Sequence, residues 1–239
     1  MEVTSSNGET QAHFLRNPVR ILYEDDHYVV FDKPSGLLVI PTPKNERNTL
    51  VNIVNSQHDL CPRTSDGTGR LHPCHRLDRD TSGVILFAKG KHHQKLMMEV
   101  FKKRSVFKKY IALVHGRLDA RQGELRSCIE HLEQKKFRRR STAKLSITRY
   151  KVIQEKKQFS IVEVQPVTGR TNQIRIQFSD IGHPLVGERK YALGRDYALK
   201  FRRVALHAQT LEWTHPVSRQ KIKVTSQLPK DMEDFIARN

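Results

Sequence analysis

The apolar positions of this chain fall into short runs separated by turn-forming residues. ILYE (21–24), YVVFDK (28–33) and LLVI (37–40) follow one another, punctuated by Asp25-Asp26 and by Pro34-Ser35-Gly36, and predict three short strands. Leu50, Ile53 and Val54 lie on one side of a short helix expected over 49–59, followed by a polar loop over 60–72. VILFAK is a continuous apolar run bounded by Gly83 and Lys89, the pattern of a strand buried on both faces. A basic amphipathic helix carrying Leu96, Met97, Val100 and Phe101 is expected over 91–104, and YIALVHG reads as a strand ending in Gly116.

Further on, SITRYKVI with FSIVEVQPV predicts one hairpin, VALHAQTLEWTHP with KIKVTSQ predicts another, and LPKDMEDFIARN closes as a short helix. The segment TGRTNQIRIQFSDIGHP is ambiguous by period alone: Ile174, Ile176 and Phe178 alternate like a strand, whereas Ile174, Phe178 and Ile181 keep helical spacing. Its ends favour a helix over 172–181, with Thr171 as N-cap and Gly182 and Pro184 as the stop. Arg175 then falls near the first turn. Strands outnumber helices and neighbouring strands are often joined by short turns, so the expected class is α+β, with a mixed, largely antiparallel sheet and flanking helices. The polar, aperiodic residues 1–17 are expected to form a mobile tail.

Composition narrows the partners. The 239 residues hold 43 Lys and Arg against 25 Asp and Glu, a formal net charge of +18, which points to a polyanion. No apolar run approaches the roughly 18 residues needed to span a bilayer. The first residues lack the apolar core of a secretory signal, and a cytoplasmic chain is expected. Three cysteines at wide spacing, Cys61, Cys74 and Cys128, are expected to remain thiols. Cys61, His72, Cys74 and His75 invite a zinc reading, but no close Cys pair or helical His pair gives the usual ligand spacing, so no metal is expected. The densest positive run comprises Lys135, Lys136, Arg138, Arg139, Arg140 and Lys144, which reads as a phosphate-contacting surface in a chain this basic and as a solvated loop otherwise.

The densest chemistry lies in HRLDRDTSG (75–83), where Asp78 and Asp80 stand among Arg76, Arg79 and His75. A glycosidase pair needs one carboxyl with a raised pKa, and the flanking arginines oppose that. Magnesium would compete with the same two cations. A third arrangement keeps Asp78 ionised as a nucleophile while Asp80, Thr81 and Ser82 order the turn. The remaining reading is a charged surface loop.

HRLDRDTSGVILFAK resembles the signature of the RluA-type pseudouridine synthases, and ILYEDDHYVVFDKPSGLLVIP, KKYIALVHG, QPVTGRTNQIRIQF, GHPLVGERKY and VALHAQTLEWTHP resemble further blocks of that family in its order. The resemblance runs from about residue 20 to 217. It implies an isomerase acting on uridines of structured ribosomal or transfer RNA through an everted target base, with no cofactor, no DNA or membrane partner, and a monomeric single catalytic domain over 18–239. Asp78 is similar to the family's nucleophile and Arg76 to the residue that fills the space of the everted base. Tyr110 is similar to the tyrosine that stacks on that base, and Arg175 to the arginine that pairs with the catalytic carboxylate. His75 and Arg170, in the same blocks, are expected to bind substrate. The family usually carries His where this chain has Asn172 and Gln177. Only about 20 residues precede ILYEDD, which suggests a compact member lacking a separate N-terminal RNA-binding domain. The competing class is a non-catalytic RNA-binding or ribosome-assembly module, which would not need the set Asp78, Tyr110 and Arg175.

Overall fold

The structure, a computed structural model, describes residues 19–57, 69–129, 143–192, 197 and 199–239. The chain divides into two compact units, one containing the residues up to Ser105 with Glu212–Ser226, the other Val106–Leu211 with Gln227–Asn239.

In the first unit, β1 (Ile21–Glu24) runs antiparallel to β2 (Tyr28–Lys33). The expected turn between them is tied by Asp25, whose Oδ1 accepts the backbone N–H groups of His27 at 2.8 Å and Tyr28 at 2.7 Å. Strand β2 pairs antiparallel along its whole length with β4 (Ser82–Lys89), and β3 (Leu71–Pro73) also pairs with β4. Seven of the eight β4 residues are buried, as expected for a strand covered on both faces. Each large side chain hidden there, Phe87 for example, contributes about 1.5–3 kcal/mol of burial free energy. Helices α1 (Leu50–Gln57) and α2 (Lys91–Lys102) complete this unit, with Leu50, Ile53 and Val54 buried in α1 and His93 and Met97, one turn apart, buried in α2.

The apolar run LLVI is not a strand. Leu38 makes only an isolated bridge to Thr49, while the carbonyls of Leu38 and Val39 accept the N–H groups of Leu50 and Val51. Those are orphan donors of the first turn of α1, so the segment serves as a helix cap while Leu37 and Val39 remain buried.

In the second unit, β5 (Val106–His115) pairs with β8 (Phe159–Pro166), β8 with β7 (Lys144–Glu155), and β7 with β6 (Gln122–Ile129), all antiparallel. The period-two geometry of β5 supplies two cores. Ala112 and Val114 join Val162, Val164 and Phe178 of α3 (Gln173–Asp180), whereas Ile111 and Leu113 join Phe159, Ile161 and the Met232 and Phe235 of α4 (Lys230–Arg238). Residues 206–211 of β9 (Leu206–Thr214) belong to this unit and 212–214 to the first, and β10 (Lys221–Thr225) pairs with β9. The α+β class expected from the pattern is therefore the one observed.

Helix α3 lies within one residue of its expected bounds at each end, but its N-cap is not Thr171. Asn172 occupies the cap with φ 55° and no capping side-chain hydrogen bond. The stop holds: Gly182 has φ 81°, and its N–H and that of His183 bond back to Ser179 and Phe178. Among the described residues, no helix is long and apolar enough to cross a membrane.

Candidate active site

Asp78 sits in the loop between β3 and β4, and the first unit holds that loop at several points. The Thr81 N–H donates to the Asp78 carbonyl at 3.1 Å, closing a turn over 78–81. Lys33, at the end of β2 and fully buried, donates from Nζ to the carbonyls of Pro34 at 2.8 Å and Arg79 at 3.0 Å. Arg79 Nε donates to the Gly36 carbonyl at 3.1 Å. The buried Leu77 anchors the segment between an exposed Arg76 and a half-buried Asp78. The imidazole of His75 packs on Phe101 at 5.0 Å, and its Nε2 accepts the Leu86 N–H at 3.0 Å, so one ring nitrogen works for the scaffold.

Tyr110, Arg170 and Arg175 belong to the second unit. Tyr110 stands opposite Val164 where β5 leaves the core, its ring packed in part against the cluster beneath α3. Two residues earlier on the same face, Lys108 reaches the Thr168 carbonyl at 3.5 Å, and burial pushes its amine down to about 8. The turn leading into α3 is fixed by Gln173. Its Oε1 accepts the Thr168 hydroxyl at 2.7 Å and the Arg170 N–H at 3.0 Å, while its Nε2 donates to the Ile147 carbonyl and the Thr148 hydroxyl. All four hydrogen bonds of a buried amide are used, which locks the segment that carries Arg170 and Arg175.

Arg175 meets a carboxylate that the sequence pattern did not reveal. Its Nε and Nη2 donate to Glu188 Oε2 and Oε1 at 2.6 and 2.9 Å. Burial would raise the Glu188 carboxyl, but the hydrogen bond and charge of Arg175 and the N–H groups of Lys190 and Tyr191 outweigh it and hold it below the usual range. Gln177, the other position where the family usually has His, is buried, and its Nε2 lies within hydrogen-bond distance of the Leu125 and Ser146 carbonyls and the Ser127 hydroxyl.

One group has the donor types of a metal centre. Ligand atoms of Asp25, His27 and His215 lie within 4.8 Å of one another. Their hydrogen bonds argue against that use. His215 Nδ1 accepts the N–H groups of Val217 and Ser218, so the neutral ring carries its proton on Nε2, facing Asp25 Oδ2 at 3.3 Å. Ligation through Nε2 would force that proton onto an atom already receiving two donors. Asp25 Oδ2 also accepts the Tyr23 hydroxyl at 2.5 Å. Of the sulfur and nitrogen ligands weighed from the sequence, Cys61 lies outside the described residues and Cys74 is a buried thiol whose pKa burial pushes up. Lys135, Lys136, Arg138, Arg139 and Arg140 also lie outside the described residues.

Comparison with known proteins gives a consistent answer. The RNA pseudouridylate synthase family matches residues 27–180. The ribosomal large subunit pseudouridine synthase D of Xanthomonas campestris pv. campestris is 34% identical over 248 residues, covering 96% of this chain and 72% of the relative. The dual-specificity RNA pseudouridine synthase RluA of Vibrio cholerae is 34% identical over 204 residues, covering 84% of this chain and 79% of the relative. The solved structure titled human RNA pseudouridylate synthase domain containing 4 shares the fold, with a TM-score of 0.73 at 23% identity over 96% of this chain and 95% of that one. With a family match over well over half its length and relatives of this identity, the chain belongs to the RNA pseudouridylate synthase family, in its RluA-type branch.

Proposed function

We propose that this enzyme isomerises specific uridines of a structured ribosomal or transfer RNA to pseudouridine, with Asp78 as the nucleophile. The observation that carries the reading is the Asp78 loop: a half-buried carboxylate beside an exposed arginine, pinned to a buried strand pair inside the span matched by the family. The reaction breaks the bond between ribose C1′ and uracil N1, turns the base and joins C1′ to C5. The proton displaced from C5 is lost and N1 gains one, so no oxidant or reductant enters the balance. Through an acyl-type adduct or through a glycal, the reaction needs an ionised carboxylate at the ribose.

A base stacked within RNA cannot reach such a carboxylate, and everting it costs a few kcal/mol. Arg76, exposed next to Asp78, is the side chain assigned to the vacated space. Tyr110 supplies the aromatic face for the everted base, Arg175 is the cation assigned to the catalytic carboxylate, and His75 and Arg170 are assigned to substrate binding. The sequence resemblance and the family match support these roles. The enzyme is proposed to act as a monomer, in the cytoplasm and without a cofactor.

The test is tritium release from RNA labelled at uracil C5, with unmodified transfer RNA and large-subunit ribosomal RNA in parallel, using wild type and Asp78→Asn. Release by wild type alone supports isomerisation through Asp78 and identifies the RNA class. Equal release by both proteins removes Asp78 as nucleophile. Binding without release from either pool favours a non-catalytic RNA-binding module.

A further inference from the structure

Arg175 is held more closely than a cation at a binding surface needs to be. Three of its five N–H donors are committed within its own unit: Nε and Nη2 to the two oxygens of Glu188, and Nη1 to Asn172 Oδ1 at 3.0 Å. At most two can serve any other acceptor. The Glu188 side chain is 0% exposed, and its Oε1 also accepts the N–H groups of Lys190 at 2.8 Å and Tyr191 at 3.2 Å. Asn172 closes the arrangement from the other side, because its Nδ2 donates to Tyr191 Oη at 2.9 Å, and the Tyr191 ring lies 5.3 Å from the guanidinium carbon. One edge of the guanidinium therefore faces a carboxylate, another an amide, and one face an aromatic ring.

The scaffold around this network is equally determined. Val186 is clamped between Leu113 of β5 and Ala205 by backbone hydrogen bonds, and the Glu188 N–H closes a turn onto the Leu185 carbonyl. Gly187 has φ +80°, and a Cβ at that position would run into the Arg203 carbonyl. Asn172 adopts φ 55°, a left-handed conformation in which Asn and His are enriched among non-glycine residues.

We propose that Asn172 and Glu188 are positioning residues for Arg175, with Glu188 fixing and partly neutralising the guanidinium and Asn172 fixing its rotation. The proposal rests on the assignment of Arg175 to the catalytic carboxylate. An arginine side chain carries large rotamer entropy, so a loosely held one reaches its acceptor only part of the time. In an RNA-binding protein it would also be drawn to phosphate, and pairing with Glu188 suppresses that competing partner. Asn172 carries one acceptor and one donor on a short side chain that tolerates the left-handed backbone. The imidazole usual at this position in the family offers the same pair, so the two residue types satisfy one requirement.

The experiment uses the full chain and whichever tritiated RNA pool, transfer or ribosomal, gives release with wild type. Single-turnover rate, RNA dissociation constant and thermal midpoint are measured for Arg175→Ala, Asn172→Ala, Asn172→His and Glu188→Gln. Asn172→Ala is expected to lose about tenfold in single-turnover rate, the scale of a misplaced catalytic partner, while binding RNA within about twofold of wild type. Its acid limb is expected to move to higher pH, because a less firmly placed cation favours the ionised carboxylate less. Asn172→His is expected to recover most of the rate, and Glu188→Gln to slow turnover more than it weakens binding.

If Arg175→Ala loses turnover while Asn172→Ala and Glu188→Gln match wild type, the positioning roles fail and the assignment of Arg175 stands. If Arg175→Ala itself keeps wild-type turnover, that assignment fails and the inference falls with it. Parallel losses of rate, binding and thermal midpoint in Asn172→Ala, without rescue by His, would reduce the residue to a structural part. Absence of release from both pools with wild type removes the proposed activity and the inference together.

Discussion

A guanidinium already paired with one carboxylate has less charge to lend to a second, and Arg175 lies in a fork with Glu188. An unshared opposite charge typically lowers an acid by about 1–3 pKa units, so under the proposed assignment of Arg175 the pairing with Glu188 would leave an effect towards the lower end of that range. Direction and hydrogen-bond geometry then matter more than net charge. His115 shows the converse, a titratable group held neutral. Buried at the end of β5 and stacked on Tyr197 at 4.2 Å, its imidazole is pushed from 6.5 down to about 4 by burial, with Lys200 adding to the effect. Between those two values the unfolded chain takes up a proton that the folded chain refuses. The contribution of His115 to stability is therefore full above about pH 6.5 and is lost as the pH drops towards 4. Asp25, Glu188 and Asp231, whose carboxyls are held below their usual range, add their own losses as the pH falls through their ordinary values, 4.5 for Glu188 and 3.8 for the two aspartates. Urea midpoints for wild type and His115→Gln between pH 7.5 and 4.5 test this. The variant is expected to show the shallower decline, and parallel declines would assign the acid sensitivity to other groups.

Among the elements, the loop over 185–188 connects packing to the site. Gly187→Ala places a Cβ against the Arg203 carbonyl in a backbone conformation that alanine disfavours. The expected loss is about 2 kcal/mol or more, read as a lower urea midpoint, together with slower turnover because Glu188 shifts with the loop. An unchanged midpoint would show that the loop yields without strain. Nothing in the local pattern announces this role, because Glu188 and Arg175 are 13 positions apart in sequence and meet only through the clamp on Val186. Legibility elsewhere follows the same division between local and tertiary causes. YVVFDK and VILFAK could be read because burial and turn chemistry agree over six to eight residues, and ILYE, whose side chains are exposed or half-buried, because the Asp25-Asp26 turn follows it. LLVI misled because its apolar side chains are buried while its carbonyls cap a helix. Strand β6 escaped notice because most of its side chains are half-exposed or exposed and leave little alternation, and β3 because three residues carry no period. The cap of α3 passed from Thr171 to Asn172 because the Arg175 and Tyr191 contacts use the asparagine amide. The charge of the Asp78 loop was legible in the sequence, whereas its anchoring by Lys33 was not.

Across the whole molecule, 43 basic against 25 acidic side chains give a formal charge of +18, enough to attract any nucleic acid without selecting one. Selection must come from where the cations stand. Several described cations are already committed: Lys33 to backbone carbonyls, Arg175 to Glu188, and Arg203 to Asp231 at 2.7 and 2.9 Å. The run from Lys135 to Lys144 contains six basic residues and no acid, so its sequence offers no internal neutralisation. Arginines there that contact phosphate displace counterions, and the slope of log affinity against log salt records how many. Replacing Arg138, Arg139 and Arg140 by glutamine is expected to weaken binding of the RNA pool that supports release and to flatten the slope by about 0.7–0.9 for each phosphate no longer neutralised. Single-turnover rate at saturating enzyme should fall far less, since these residues belong to none of the proposed chemical roles. An unaltered slope would leave the run to solvent and place the attraction for RNA on cations elsewhere along the chain, whereas a collapse of the rate at saturation would mean that the run helps to orient the target uridine as well as to hold its backbone.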